Sequence, residues 1–217
     1  MERHHMRIKD DVSNRFSRWA GHYDTSLLQN IVFRNSHRMF AREIDTTSKR
    51  RIHLLDVGCG TGELVFKLTG LSYNIKAHGV DISKDMIRIA KSKLRSDVIE
   101  FKVGDVEDLP YEDEQFDIIT CSHSFHHYPD QRKALKEMHR VLKERGKIMI
   151  IDGSRDKFLG KIIFGKIIKR LERDVHHLLA RDMTSLLQAV GFTTVMQRTF
   201  NRLIPLLFTI ATKKRGK

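Results

Sequence analysis

Asp56 closes an apolar run, Ile52-His-Leu-Leu-Asp-Val57, and is followed by Gly58, Cys59, Gly60, Thr61 and Gly62. Glycines at that spacing let the backbone turn sharply and approach a bound molecule with no side chain in the way. About twenty residues on, a second apolar run ends in Asp81 with Ile82 and Met86 behind it, and a third ends in Gly104-Asp105-Val106. A fourth runs into Cys121-Ser122-His123-Ser-Phe-His126-His127-Tyr128. Carboxylates at successive strand ends suit a ligand rich in hydroxyls, amino groups and positive charge. Imidazoles beside them suit removal of a proton near neutral pH, since a free histidine titrates near ~6.5.

Glycine-rich turns between a strand and a helix also serve dinucleotide and phosphate binders, so the neighbours decide. The dinucleotide fingerprint puts its third glycine where this chain has Glu63, and Asp56 and Glu63 would repel a pyrophosphate. The Gly-x-x-x-x-Gly-Lys-Ser/Thr loop of nucleotide triphosphatases is absent from the sequence. A ligand carrying sulfonium and ammonium charges is attracted by the same acids.

The elements that must hold these residues alternate. Short apolar runs at 52–57, 76–81, 98–103, 116–121 and 147–151 predict buried parallel strands, each followed by a helical pattern. Helices are expected at 63–70, 84–95 and 131–143, with Ser83 capping the second and Gly146 ending the third. A helix near 182–190 closed by Gly191 precedes two strands, 193–200 and 204–212, joined by a turn near Asn201 as an antiparallel hairpin at the sheet edge. The expected fold is α/β: a doubly wound, seven-stranded, mostly parallel sheet with an antiparallel last strand. Residues 1–50 form an N-terminal helical cap segment, and residues 51–217 one domain with a helical insertion at about 153–180. In such a sheet Asp81 reaches the ribose hydroxyls of an adenosine, and Ile82 and Met86 pack on its base.

The chain has 217 residues and three prolines, as expected of an ordered globular protein. No apolar run approaches the ~20 residues of a membrane span, and the N-terminus has no signal-peptide core, so cytoplasmic residence is the expectation, with a peripheral membrane contact the variant of it. Two cysteines are too few for a disulfide framework. The histidine pairs 126/127 and 176/177 lack a Cys-x-x-Cys or His-Glu-x-x-His companion, and no metal is expected. The formal charge of +13 is concentrated in the first fifty residues, in 155–173 and in the tail, while 100–117 is acidic. That distribution predicts a basic rim around an acidic cleft.

Residues 52–152, down to Leu109-Pro-Tyr-Glu-Asp-Glu-Gln-Phe-Asp117 and Ala134-Leu-Lys-Glu-Met-His-Arg-Val-Leu-Lys143, resemble the core of the class I S-adenosylmethionine-dependent methyltransferases. Among these the resemblance is to the ubiquinone/menaquinone biosynthesis enzymes and their small-molecule relatives. It implies a Rossmann-like fold, S-adenosyl-L-methionine as cofactor, and cofactor contacts at Thr61, Asp81, Asp105, Val106 and Ser122. It also implies a segment around Arg15–Asp24 folding over the cofactor, with Tyr23 as its aromatic. Glu144-Arg145-Gly146 replaces the family's usual Pro-Gly-Gly, a change confined to a turn. The implied acceptor is a small, lipophilic molecule such as a quinone precursor. Two alternatives remain: an RNA-associated methyltransferase or accessory subunit, and a peripheral-membrane phospholipid methyltransferase.

Methyl transfer needs a general base only when the acceptor must lose a proton. His126 is the leading candidate, with His127 in reserve. The Asn/Asp-Pro-Pro-Tyr/Phe signature of exocyclic-amine methylation and a Pro-Cys nucleophile are both absent, which ranks nucleic acid below a small molecule as partner. The basic, apolar stretch Lys157–Leu171 reads as one amphipathic helix with Gly160, Ile163, Phe164, Ile167 and Leu171 on its packed seam. Phe158, Leu159, Ile162 and Ile168 are left for a greasy substrate, a packed cap or an anionic membrane surface.

Overall fold

The computed structural model describes residues 9, 11–15, 27–45, 50–72, 74–167, 170 and 175–214. Their elements run α1 (Leu27–Arg42), β1 (Ile52–Val57), α2 (Glu63–Thr69), β2 (Ile75–Asp81), α3 (Lys84–Ser92), β3 (Ile99–Val103) and β4 (Phe116–Ser122). After β4 come a 3-10 turn (Phe125–His127), α4 (Gln131–Val141), β5 (Leu142–Gly153), α5 (Phe158–Ile162) and a wide π turn (Ile163–Ile167). The chain closes with α6 (Ala180–Val190), β6 (Phe192–Phe200) and β7 (Leu206–Lys213).

The strands form one seven-stranded sheet in the order β3-β2-β1-β4-β5-β7-β6. Pairing is parallel from β3 to β5, whereas β7 lies antiparallel between β5 and β6. The last strand can enter the sheet only by doubling back from the edge strand β6. It does so at Asn201, whose φ of 62° is left-handed and whose Oδ1 accepts from the amides of Leu203 and Ile204. The order reverses at β1, which has β2 on one side and β4 on the other, and such a switch point opens a crevice at the strands' carboxyl ends.

Alternate strand residues enter two cores. Leu55, Val57, Ile148 and Ile150 pack with Leu135, Met138, Met183 and Leu187 of α4 and α6. Leu54, Met149 and Ile151 pack on the other face with Phe40 of α1, Leu64 and Leu68 of α2, and Ile87 of α3. Each helix presents its apolar stripe to one face, which gives three layers.

Two element boundaries differ from the sequence reading. α4 stops at Val141 because Leu142 is already extended and pairs with Phe116 of β4, so Gly146 does not end the helix. The chain turns instead at Arg145, φ 59°, and a Cβ on Gly146 would lie 2.7 Å from the Leu142 side chain. The stretch from Lys157 is a short α turn followed by a π turn rather than one continuous helix. A Cβ on Gly160 would overlap the Ser154 carbonyl, so this turn sits directly on the backbone leaving β5. Gly160 and Phe164 are buried as expected of the seam, whereas Phe158 is 80% exposed. Ile168 and Leu171 lie outside the described residues.

Gly79, inside β2, faces Phe101 and Cys59: an added Cβ would lie 2.5 Å from the Phe101 ring and 2.8 Å from the Cys59 sulfur. Gly79→Ala is expected to destabilise the fold by about 1–3 kcal/mol through overpacking. An unchanged thermal melt would show that Phe101 moves aside freely.

Candidate active site

The glycine loop after β1 takes left-handed backbone at Gly58 (φ 71°), Gly60 (φ 52°) and Gly62 (φ 82°). The amides of Gly58 and Cys59 donate to the Val80 carbonyl. Asp81 Oδ2 accepts from the Gly60 amide and Oδ1 from the Ser83 amide, each at 2.9 Å. One carboxylate thus joins the loop after β1 to the start of α3, and Ser83 caps α3 by accepting from the Met86 amide. A Cβ on Gly58 would sit 2.4 Å from Ser124 Oγ, so that glycine lets the loop and the turn after β4 come into contact. Glu63 pairs with Lys93 at 2.7 Å, which takes up a charge that the sequence reading had facing the ligand.

Asp56 is buried, and its Oδ1 accepts from Thr120 Oγ1, its register partner on β4, at 2.7 Å. Burial raises its pKa to about 7 and the nearby Asp81 charge adds to this, while the Thr120 hydrogen bond opposes both. Desolvation likewise raises Asp81, against its two backbone donors. Desolvation thus holds two carboxylic acids above their usual range at one strand switch.

The crevice has two hollows that meet at Gly58. One is lined by Asp81, Ile82, Asp105 and Val106, as expected from the sequence, together with Ser124, His127, Tyr128, Lys9 and Val12. The other is lined by Asp56, Cys59, Gly60, Thr61 and Ser122, again as expected, together with Phe33, Arg34 and His37 of α1 and Phe66 and Lys67 of α2. Gly62 is turned towards Phe101 and Phe66 instead. Met86 is fully buried beneath α3 and lines neither hollow. Tyr23 lies outside the described residues. No sequence signal marked Ser124 and Tyr128 as wall residues. Their hydroxyls lie 3.0 Å apart, and both donate to the Val57 carbonyl.

Lys9 reaches across the mouth of the first hollow to Asp105 (2.7 Å) and Glu107 (2.6 Å). Burial disfavours its charge, but the hydrogen bonds and charges of the two acids prevail and raise its pKa. The acid expected to meet an adenine amino group is therefore already paired with the chain's own ammonium.

At the far ends of β4 and β5, His126 Nδ1 lies 2.6 Å from Asp152 Oδ1, and the His126 amide donates to Asp152 Oδ2 at 2.8 Å. Burial alone would raise the Asp152 pKa, but His126 and His177 hold it well below the usual range, so the carboxylate is ionised and His126 Nδ1 is the donor. In its neutral form that imidazole then carries its lone pair on Nε2. His177 Nδ1 comes within 3.3 Å of the same Oδ1, and its ring stacks on His126 at 4.1 Å. Asp152 and His177 were absent from the sequence-derived set. His127 lines the first hollow, whereas His126 lines neither. Burial and the His126 charge lower the His127 pKa, and burial lowers His123 and His37 to about 4, so all three are neutral at pH 7.

His126, Asp152 and His177 also bring three ligand-type atoms within 4.8 Å of one another. Their geometry favours a proton over a metal. The two rings lie only 25° from parallel, so their in-plane lone pairs do not converge on one ion, and 2.6 Å from nitrogen to oxygen is a hydrogen bond.

The sheet order and the acidic switch-point crevice define a Rossmann-like, class I S-adenosylmethionine-dependent methyltransferase fold. A family profile described as "Methyltransferase domain" matches residues 48–197, and the chain belongs to that family. It is 34% identical over 139 residues to the uncharacterized methyltransferase YcgJ of Bacillus subtilis, covering 59% of this chain and 54% of that one. The chain thus spans little more than half the length of that relative. It is 27% identical over 217 residues to a demethylmenaquinone methyltransferase of Staphylococcus aureus, covering 88% and 89% of the two chains. Among solved structures, the complex of the Haloferax volcanii Trm112 methyltransferase activator with a putative methyltransferase matches with a TM-score of 0.79 and 17% identity, covering 92% of this chain and 98% of that one.

The crevice fits S-adenosylmethionine on its own chemistry. It offers a buried acid of raised pKa suited to a sulfonium or ammonium, an acid at a strand end suited to ribose hydroxyls, and a glycine-lined wall between them. Asp81→Ala should weaken S-adenosylhomocysteine binding by at least about tenfold in calorimetry, since each hydrogen bond to a carboxylate is worth roughly 1.5–3 kcal/mol. It should also lower the melting temperature, because Gly60 and Ser83 lose their acceptor. Unchanged affinity would remove Asp81 from the site.

Asp56 gives a signed pH effect. Its folded pKa of about 7 lies above the ordinary carboxylate value, so its stabilising contribution is present in acid and lost as pH rises through 7. A bound cation favours the ionised acid, so cofactor binding near pH 7 should release a fraction of a proton and tighten as pH rises. Calorimetry in buffers of different ionisation enthalpy reads this directly; identical heats in all buffers would show that Asp56 does not face the charge.

Proposed function

We propose that this protein transfers a methyl group from S-adenosylmethionine to a small, lipophilic acceptor whose nucleophilic atom must first lose a proton, such as the phenol or enol of a quinone precursor. The observation that carries this is the buried His126–Asp152 pair at the ends of β4 and β5, beside the crevice. S-Adenosylmethionine supplies an electrophilic methyl group bound to a sulfonium. Asp81 and Asp105 hold the adenosine side, while Asp56, Thr61 and Ser122 hold the amino-acid side. Asp152 fixes the His126 ring with Nε2 as its basic nitrogen and stabilises the imidazolium formed when Nε2 takes the acceptor's proton. Phe33 lines the second hollow, and its ring lies 4.8 Å from that of neutral His123, which gives an aromatic edge for an uncharged ring. The Staphylococcus relative named demethylmenaquinone methyltransferase supports the same acceptor class.

In this reading residues 1–50 act as a cap over the cofactor and 153–180 as the insertion that shapes the acceptor side. The enzyme works in the cytoplasm. Among the described residues no helix is long and apolar enough to cross a membrane.

The test is turnover with a hydroquinone acceptor. His126→Ala should lower kcat by ~10² or more with cofactor affinity nearly unchanged, Asp152→Asn should follow it, and His127→Ala should cost less. Full activity of His126→Ala at pH 7 would show that alignment alone drives the reaction. Failure of every phenolic or enolic acceptor would reject the substrate class.

A second reading has one observation in its favour. The fold neighbour from Haloferax was solved with the Trm112 activator bound, and the charge of +13 suits nucleic acid. In that case the chain would be an RNA-associated methyltransferase that needs an activator. RNA binding that falls steeply with salt, together with turnover only after addition of a Trm112-type protein, would favour it over the first.

A further inference from the structure

Phe158 and Leu203 are the two most exposed large apolar side chains among the described residues, at 80% and 78%. They come from parts of the chain forty-five residues apart, and the sheet brings both to the same rim. Phe158 opens α5, just after β5 ends at Gly153; Leu203 sits in the turn that leads into β7, whose first residue, Leu206, pairs with Gly153. The Ser154 amide donates to the Pro205 carbonyl at 2.9 Å, which ties the two connections together. The overlap that a Cβ on Gly160 would make with the Ser154 carbonyl shows how closely α5 lies on that junction. Leu159, 39% exposed, adds to the same edge.

The charge around these side chains is mostly positive. Lys157, Lys161 and Lys166 of the α5 connection and Arg202 beside Leu203 are all exposed. Residues 198–206 contain no acid, and the single acid of 153–167, Asp156, is exposed but has its carboxylate engaged by the Ser154 hydroxyl and the Ala180 amide. Protruding apolar side chains ringed by four cations, with one hydrogen-bonded acid among them, match the interface of an anionic bilayer. There the rings and branched chains enter the headgroup boundary while the cations meet lipid phosphates. A soluble polyanion would use the cations and gain nothing from an 80% exposed phenylalanine.

We propose that the rim formed by the α5 connection and the β6–β7 turn docks the protein on the surface of an anionic lipid membrane. The patch lies at the carboxyl end of the sheet, on the same side as the candidate active site. Phe164, from the turn after α5, packs its ring 4.7 Å from His177, and Arg155 Nη1 donates to the His177 carbonyl. Docking therefore places the acceptor side of the crevice next to the bilayer, from which a lipophilic acceptor would be loaded. That consequence rests on the acceptor reading given above; the docking itself does not.

Vesicle co-sedimentation without acceptor or cofactor tests it. The wild-type chain should sediment with vesicles of phosphatidylcholine mixed with phosphatidylglycerol, not with phosphatidylcholine alone, and binding should weaken with salt. Phe158→Ser with Leu203→Ser should lose at least about tenfold in apparent affinity with an unchanged melt, since both side chains are exposed in the free protein. Lys157→Glu with Lys161→Glu should lose as much. Absence of binding to phosphatidylglycerol vesicles overturns the proposal. So does wild-type binding by the Phe158/Leu203 variant, which would leave a charged surface for any polyanion. Because no substrate is present, failure here leaves the methyl-transfer reading intact, and an active enzyme that rejects quinone-like acceptors leaves the docking result intact.

Discussion

The Asp81 carboxylate is the constraint on which the rest of the site depends. Its two oxygens hold two amides that belong to different connections, Gly60 after β1 and Ser83 at the start of α3. Without it the glycine loop, whose residues populate left-handed backbone at an entropic cost, is tied to β2 only by the Gly58 and Cys59 amides on the Val80 carbonyl. With it, the loop's amides, the acid at the end of β2 and the amino end of α3 form one unit. The desolvation that raises the Asp81 pKa is the cost of that position, and the two backbone donors offset part of it.

Charge in this crevice is rationed by burial. The Asp56 pKa is raised to about 7, that of Asp81 is raised too, and the neighbouring imidazoles His37, His123 and His127 are pushed to their neutral forms. Asp152 goes the opposite way because two imidazoles converge on it. One end of the crevice therefore gathers two buried acids, while the other holds a charged acid hydrogen-bonded to an imidazole. That division matches the two partners of a methyl transfer: a cationic donor, and an acceptor that gives up a proton.

The region after β5 folds back over the end of that strand. β5 ends in Asp152 and Gly153, and a Cβ on Gly153 would meet the rings of Phe164 and His177, both from beyond residue 160. The bare glycine lets those rings close over the end of the strand. The same departure from β5 carries Phe158 to the rim, so Asp152 and the exposed Phe158 share one short length of backbone.

The sequence by itself determined the sheet and the residues that end its strands at the crevice. Period and length of the apolar runs fixed the strands, since a parallel strand buried on both faces needs a continuous apolar stretch. The acids that line the crevice sit at strand ends a few residues from glycines, so Asp56, Asp81 and Asp105 were legible as a local pattern. Asn201 marked the hairpin for the same reason, as a left-handed turn selects its residue type. Only the tertiary structure decided the rest. Asp152 and His177 are 26 and 51 residues from His126, and no local period connects them; they meet because β5 lies beside β4 and the insertion folds back over both. Lys9 reaches Asp105 across 96 residues for a similar reason. Met86, whose position after Asp81 suggested the adenine, is rotated by the helical period into the core, because burying that side chain under α3 is worth more than leaving it at the cleft. Local patterns follow from backbone geometry, whereas a meeting of distant side chains follows from which layers pack together.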